Sequence, residues 1–384
     1  MLSERQRLIR ETARRFARQE LLPSAAERDR VPEFPKRAFA RMAELGLLGM
    51  TVPEEWGGAG TDHVSYALAV MEIAAADGAA STAFQVHNSL ACTPILKFGT
   101  DEQKQRFLRP LAQGELLGCF CLTEPEAGSD AAAIKTRARR EGNKYVLDGV
   151  KQFITSGRTA DVAIVFAVTN PEAGKKGLSA FIVPTATAGY RVARIEETLG
   201  QRSTDHCQIV FEGCEVPPDQ MLGEDGQGLK IALSNLEGGR IGVAAQSVGM
   251  ARSAYDAALA YAKERKTFGK PIIEHQAVAF RLADMATGIQ AAELMVLRAA
   301  ALRDAGEPCL KEASMAKLFA SETAEKVCSA AIQIHGGYGY TQDFPVERIY
   351  RDVRVCSIYE GTSDIQRLVI GRQVAAEPGF QGVT

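Results

Sequence analysis

At 384 residues the chain is about two to three times the span of a usual domain, so two or three domains are expected. Its 45 Lys and Arg against 47 Asp and Glu leave a formal charge of -2, which argues against a nucleic-acid or anionic-membrane partner. A local basic pocket for a phosphorylated ligand stays open. The eight cysteines contain no CxxC pair and many lie in apolar runs, which predicts reduced, buried thiols. The five histidines lack any metal-ligand spacing, so no metal is expected. The N-terminus has no apolar signal core, and no apolar run approaches membrane-spanning length, so a cytoplasmic location is expected.

In chain order, residues 3–20 carry Leu8, Ile9, Phe16 and Ala17 at helical spacing, opened by a Ser3/Gln6 capping box. Helices are predicted over about 35–46, 62–76, 81–98 and 100–113, the last opened by Thr100 and Gln103. Pro94 and Pro110 are expected to bend or end two of them. From about 116 the pattern turns to strands. Residues 134–138 alternate, and Asp148-Gly149 between two apolar runs predicts a hairpin turn. Strands follow at 162–168, 179–183 and 208–211, a spacing that suits a small barrel or sandwich. Long helices return at about 229–265, 275–304 and 310–334, with a shorter one at 363–375. The predicted blocks are 1–115 helical, 116–225 β and 226–384 helical.

Four segments are candidates for chemistry. Phe120-Cys-Leu-Thr-Glu-Pro-Glu-Ala-Gly-Ser-Asp130 suits a turn that presents backbone N–H groups and hydroxyls, and reads equally as a polar loop. Ile358-Tyr-Glu-Gly-Thr362 places a lone carboxylate beside a glycine and just before a helix N-terminus, where a simple dipole partner is the commoner case. Arg265-Lys-Thr-Phe-Gly follows a long helix and suits a diphosphate or an ordinary basic C-terminus. Gln333-Ile-His-Gly-Gly-Tyr-Gly-Tyr is a glycine-rich helix end, weak by itself.

Taken in this order, the four segments resemble the acyl-CoA dehydrogenase family. Val52-Pro-Glu-Glu-Trp-Gly-Gly, Lys151-Gln-Phe-Ile-Thr-Ser, Gly238-Gly-Arg-Ile-Gly and Tyr350-Arg-Asp also fall where that family has them, so the likeness covers nearly the whole chain. It implies an α+β fold: an N-terminal helical domain, a middle β-barrel domain and a C-terminal four-helix bundle. It also implies FAD, an acyl-CoA substrate, an electron-transfer flavoprotein as partner and a homotetramer. No nucleic-acid or membrane partner is expected.

Carried over by the resemblance, Glu360 is the base that takes the proton next to the thioester carbonyl. Phe120, Leu122, Thr123, Gly128 and Ser129 line the flavin, Ser129 also serving the pyrophosphate region of FAD or CoA, and Phe153, Ile154 and Thr155 cover another side of the ring. Arg265, Thr267, Phe268, Gln276, Gln333, Gly336 and Gly337 form an adenine and pyrophosphate site for a partner subunit's cofactor, while Thr362 and Asp364 complete the contacts. Ser129, Arg240, Tyr359 and Gly361 serve the substrate.

A solvated carboxylate is too weak a base for a thioester α-proton. Burial raises its basicity, and hydrogen bonds to the carbonyl stabilise the enolate; in the family these come from the Glu backbone N–H and a flavin hydroxyl. One branch of the family carries its base one residue before the position of Arg240, where this chain has Gly239; Glu237 is on another helical face. Residues 69–96, which help line the family's acyl pocket, hold no Lys or Arg and only His87, which disfavours a substrate with a second carboxylate. Met71, Phe84 and Leu90 suit either a short pocket or ordinary core. The texture is most similar to short-chain and short branched-chain members. Two alternatives are an oxidase-like relative on the same fold and a non-catalytic acyl-CoA binder.

Overall fold

The computed structural model describes residues 2–379. In chain order it has helices α1 (Glu4–Phe16), α2 (Ala25–Arg30), α3 (Lys36–Glu44), α4 (His63–Ala76), α5 (Gly78–Gln85), α6 (Thr93–Phe98), α7 (Asp101–Gln103) and α8 (Arg109–Gln113). Strands β1 (Gly118–Cys121), β2 (Arg137–Glu141), β3 (Lys144–Thr155), β4 (Val162–Val168), β5 (Leu178–Pro184), β6 (Tyr190–Ile195), β7 (His206–Val216) and β8 (Met221–Leu222) follow. The chain then forms α9 (Gly228–Glu264), the short β9 (Lys266–Thr267) and β10 (Lys270–Pro271), α10 (Gln276–Asp304), α11 (Leu310–His335), α12 (Val346–Val353) and α13 (Ser363–Ala375).

Both capping boxes form. Ser3 Oγ accepts from the Gln6 N–H at 3.2 Å while Ser3 N–H donates to Gln6 Oε1 at 2.9 Å; Thr100 and Gln103 repeat the exchange at 3.2 and 3.1 Å. Neither proline ends its helix. Pro94 and Pro110 each sit at the second position of α6 and α8, directly after π-helical turns at Val86–Cys92 and Lys104–Leu108. The wider π turn shifts the hydrogen-bond register, so the missing proline N–H falls where it is not required.

The chain folds as two compact units. Of the described residues, 2–26, 63–78 and 240–379 form a helical unit, and 27–62 with 79–239 form a sheet-containing unit. The first sequence block is thus shared: α1 and α4 belong to the helical unit, α3, α6 and α8 to the other.

In the helical unit, α10 turns Leu282, Met285, Ile289, Ala292, Val296 and Ala299 inward at three- and four-residue spacing, packing against α11 and α4. By length and composition α10 is long and apolar enough to cross a membrane, which corrects the expectation that no run came close. At the centre of the unit lies Glu72 on α4, with its side chain 3% exposed. It accepts from Arg10 at 2.9 Å, Arg14 at 3.0 Å and Arg252 at 3.1 Å, tying α1 and α9 to α4. Burial alone would raise its pKa, but the hydrogen bonds and charges of Arg14, Arg252 and Arg10 outweigh this and hold it at about 2.

A carboxyl held below its unfolded value stabilises fully above pH 4.5 and loses that contribution as pH falls towards 2. Urea unfolding should therefore show stability dropping through this window by roughly 3 kcal/mol on account of Glu72. Glu72→Gln should flatten the slope and cost about 3 kcal/mol at neutral pH. An unchanged acid limb in that variant would count against the assignment.

In the sheet-containing unit the strand order is β6-β7-β3-β2-β4-β5-β8, with β1 parallel to β4. The run Val162–Val168 is apolar throughout because both faces are buried. Val162, Ile164 and Phe166 face a cluster with Ile95, Leu108, Leu111 and Ile231 from the helices, while Ala163, Val165 and Ala167 face one built from β1–β5 and β7. The second cluster shows a sheet wrapped around its own interior, as a small barrel requires.

The predicted hairpin at Asp148-Gly149 is corrected. β3 runs through both residues, and the β2–β3 turn lies at Gly142 and Asn143, where Gly142 takes φ 61°. Gly149 marks a bulge against β7, and a Cβ there would come within 2.4 Å of Thr136 Oγ1, so glycine serves a close approach. The sequence reading missed β6, a largely exposed polar edge strand without apolar alternation, and α12. All eight cysteines are buried free thiols, as expected. His87 is also buried: Nδ1 accepts from the Gly118 N–H and Nε2 meets the Leu111 carbonyl, both at 3.1 Å. Desolvation lowers its pKa to about 4, so it is a neutral core residue. Phe84, Leu90 and, in the helical unit, Met71 are likewise core.

Candidate active site

The helical unit holds the predicted base. After α12 the chain makes a turn in which Glu360 and Gly361 both take left-handed backbone angles, φ 51° and 90°. Such an angle costs a non-glycine residue energy and persists only where surroundings enforce it. Three contacts do so. Lys317 Nζ, from α11, donates to the Gly361 carbonyl at 2.7 Å. Gln366 Nε2, from α13, donates to the Gly361 and Glu360 carbonyls at 2.9 and 3.3 Å. Tyr359 donates its hydroxyl to Gln246 Oε1, and Gln246 donates in turn to the Gly78 carbonyl at 3.1 Å. Thr362 then caps α13, its Oγ1 accepting from the Ile365 N–H at 3.2 Å.

Glu360 as a whole is partly exposed, yet its Oε2 is sealed from solvent. Burial raises the carboxyl to about 7, while the charges of Lys317 and Arg240 pull it back. Arg240, itself buried, donates to Ser314 Oγ at 3.2 Å. Tyr359, Glu360, Gly361 and Thr362 thus share one turn on which Arg240 acts by its charge, and the structure adds Lys317, Gln246 and Gln366. Sequence reading missed these three because Lys317 and Gln246 lie in alanine-rich helix and Gln366 in a helix body, with no local signal. Asp364, at the start of α13, points outward and pairs with Arg367 at 3.5 Å.

The same unit contains a cavity of about 480 Å³ lined by Arg265, Thr267, Gly336 and Gly337, together with Tyr261, His335, Tyr338 and Thr341. Tyr261 stacks on His335 at 4.4 Å, and the Arg265 guanidinium lies 5.9 Å from the Tyr338 ring centre. A Cβ at Gly336 or Gly337 would meet nothing within 4 Å, so the glycine turn opens onto free space. Aromatic faces, one arginine and bare backbone fit the adenine and pyrophosphate of a dinucleotide. Phe268, Gln276 and Gln333 are exposed and do not line this cavity; Phe268 takes φ 50° and is 96% exposed.

The sheet-containing unit holds the other candidates. β1 ends in a loop pinned by Glu124, whose carboxylate accepts from the backbone N–H groups of Lys135 and Thr136 at 2.5 and 3.0 Å. Lys151 Nζ, wholly buried, donates to Glu124 at 2.7 Å and to the Leu122 carbonyl at 3.1 Å. Burial opposes both charges, but the pair keeps the carboxyl below its usual value. Gln152 N–H donates to the Thr123 carbonyl at 2.8 Å. Beyond this anchor Gly128 and Ser129 are exposed, with open space at Gly128. Phe120 packs on Phe166 at 4.9 Å, and Leu122 joins the helix-facing core.

Phe153 takes a positive φ within a bulge of β3, and Ser156, directly after the strand, does so too; the Phe153 ring is 63% exposed. Thr155 Oγ1 lies 3.3 Å from His206 Nδ1. The side chain of Ile154 lies in the barrel interior, leaving only its backbone to offer a ligand. An exposed ring on the strand that is hydrogen-bonded to Thr123, with Gly128 and Ser129 exposed in the same loop, fits a flat heteroaromatic ring.

Three family models match the chain: the acyl-CoA dehydrogenase N-terminal domain over residues 3–115, the middle domain over 119–214 and the C-terminal domain over 226–375. The chain is 47% identical to the human mitochondrial short-chain specific acyl-CoA dehydrogenase, over 96% of this chain and 90% of that one. A 3-(aryl)acrylate reductase of Clostridium sporogenes is also 47% identical, over 96% and 98%. The solved structure of butyryl-CoA dehydrogenase from Megasphaera elsdenii superposes with a TM-score of 0.96 at 40% identity, covering 98% of this chain and 99% of that one.

Proposed function

Because the chain belongs to the acyl-CoA dehydrogenase family, we propose that it carries out FAD-dependent α,β-dehydrogenation of a short or short branched-chain acyl-CoA, giving the trans-2-enoyl-CoA. The observation that carries this reading is the Glu360 carboxyl, enclosed at Oε2 and raised to about 7 in a turn held from three sides. Such a group is half ionised at neutral pH and strong enough as a base to accept an α-proton. Arg240 and Lys317 place positive charge near the carboxylate, and Arg240 with Tyr359 and Gly361 would orient the thioester.

FAD, when bound, supplies the acceptor for the β-hydride. Phe120, Thr123, Gly128, Ser129 and Phe153 would hold its ring, with the backbones of Leu122, Ile154 and Thr155. Arg265, Thr267, Gly336 and Gly337 would hold an adenine and pyrophosphate, and Phe268, Gln276 and Gln333 would contact a second subunit's cofactor. Thr362 and Asp364 would complete the contacts. A homotetramer in the cytoplasm, passing electrons to an electron-transfer flavoprotein, is part of the same proposal. It is supported by Phe268, Phe280, Leu294 and Tyr340, large apolar side chains left exposed on the helical unit. The short-chain preference rests on the named relatives, and the aryl-acrylate relative at equal identity keeps the acyl group itself a matter for assay.

The test is a panel of acyl-CoA thioesters offered to purified, yellow protein under nitrogen with a dye acceptor, then in air. Bleaching by four- and five-carbon thioesters, with dye reduction and slow reoxidation in air, is expected. Rapid reoxidation by oxygen would favour an oxidase, and a protein that takes up no flavin would defeat the reading.

A further inference from the structure

Lys317 is a charged side chain with no solvent exposure, set in the middle of α11. A buried ammonium is costly unless its site uses it. One turn earlier on the same helix, Ser314 is equally buried and accepts from Arg240. This face of α11 therefore holds both cations that act on Glu360: Arg240 through Ser314, and Lys317 directly against the turn. The Gly361 carbonyl that Lys317 binds is already satisfied by Gln366, so the ammonium is not there to rescue an orphaned acceptor.

Resting on the reading of Glu360 as base, we propose that Lys317 is a positioning residue that fixes the Glu360–Gly361 turn and supplies the charge setting the ionisation of Glu360. The charged and titratable groups around it are few. Arg240 faces it from α9, Cys356 and Glu360 from the segment between α12 and α13, and Glu322 from α11 itself; α13 contributes the neutral Gln366. Desolvation lowers Lys317 to about 8, and Cys356 and Glu360 act in the opposite direction. Arg240 comes from a different helix and its guanidinium donates to Ser314 Oγ at 3.2 Å, whereas Lys317 binds the backbone of the turn itself.

The experiment compares Lys317→Met, Lys317→Gln and Lys317→Arg with the unaltered protein and with Glu360→Gln. The Glu360 carboxyl is titrated by infrared difference against Glu360→Gln, and anaerobic flavin reduction is followed over the same pH range. Both neutral variants should raise the Glu360 midpoint by about one pH unit, the lower end of what an opposite charge nearby contributes. At pH 6 the reduction rate should then lie about a hundredfold below each variant's own high-pH plateau, against about tenfold in the unaltered protein. Lys317→Gln, which keeps a donor for Gly361, should retain more of the plateau than Lys317→Met, and Lys317→Arg should restore the midpoint. A rate loss uniform with pH, with the midpoint unmoved, would reduce Lys317 to scaffolding and overturn the proposal.

Coupling is reciprocal, which provides a second measurement that does not depend on how the Lys317 variants fold. In Glu360→Gln the titration of Lys317, read from its ¹³Cε resonance, should move down from about 8 because a charge that supports the ammonium is gone. No movement would also overturn the proposal. If Glu360→Gln keeps its rate, the base reading fails by itself, while the infrared and lysine titrations still decide whether the two groups are coupled.

Discussion

Glu360→Gln is expected to bind FAD and acyl-CoA while losing roughly 100- to 10,000-fold in flavin reduction, the range that general-base catalysis contributes. The amide keeps the size and part of the hydrogen bonding of the side chain, so the turn held by Lys317 and Gln366 should persist. In the unaltered protein the reduction rate should rise with pH through about 7 as Glu360 ionises, and this limb should vanish in the variant. Stability supplies an independent check. A carboxyl whose folded pKa is raised from 4.5 to about 7 costs the fold stability as pH climbs between those values. The cost amounts to roughly 3 kcal/mol above pH 7. Glu360→Gln should therefore be more stable than the unaltered protein at pH 8 and show no such gain at pH 5, a trade of stability for reactivity. Near-normal anaerobic reduction by a saturating thioester would show that Glu360 is not the base.

Glu124→Gln should have the largest effect on the sheet-containing unit. It removes the counter-charge of Lys151, whose ammonium has no access to water, and breaking such a pair costs about 3–5 kcal/mol. The carboxylate also receives the backbone N–H groups of Lys135 and Thr136, so one or more donors would be left poorly matched. Urea unfolding should report the loss, and hydrogen exchange should quicken across 122–136. Flavin affinity should fall with it, since the loop from Leu122 to Ser129 hangs on this anchor. Adding Lys151→Met should recover part of the stability, because it removes the orphaned charge. A double variant no more stable than Glu124→Gln would mean that the ion pair is not what holds the loop.

Much of this protein was legible without coordinates where the information is local. Ser3 with Gln6 and Thr100 with Gln103 mark helix starts because capping is decided within four residues. The long helices from 228 onward follow from apolar periodicity, and the position of Glu360 between Tyr359 and Gly361 follows from a motif carried as a continuous string. Asp148-Gly149 looked like a turn because the local pattern is the same for a turn and for a bulge. The pairing of β3 with β2 and β7 distinguishes them, as does the approach of Thr136, from another stretch of chain, to within 2.4 Å of a Cβ at Gly149.

The sequence by itself determined the order of helical and β segments, the family likeness and the identity of the candidate base, because each is written in contiguous residues. It could not say why that base would be basic. The enclosure of Oε2, the left-handed turn at Glu360 and the cations at Lys317 and Arg240 come from α9, α11 and the turn meeting in space, 43 residues apart along the chain in one case and 120 in the other (360 − 317; 360 − 240). The same holds for Ile154, which its motif groups with ligand contacts but which the pleat of β3 sends into the barrel interior. Solvation and charge depend on distance through space, so the ionisation of a buried group is decided only once the chain has folded around it.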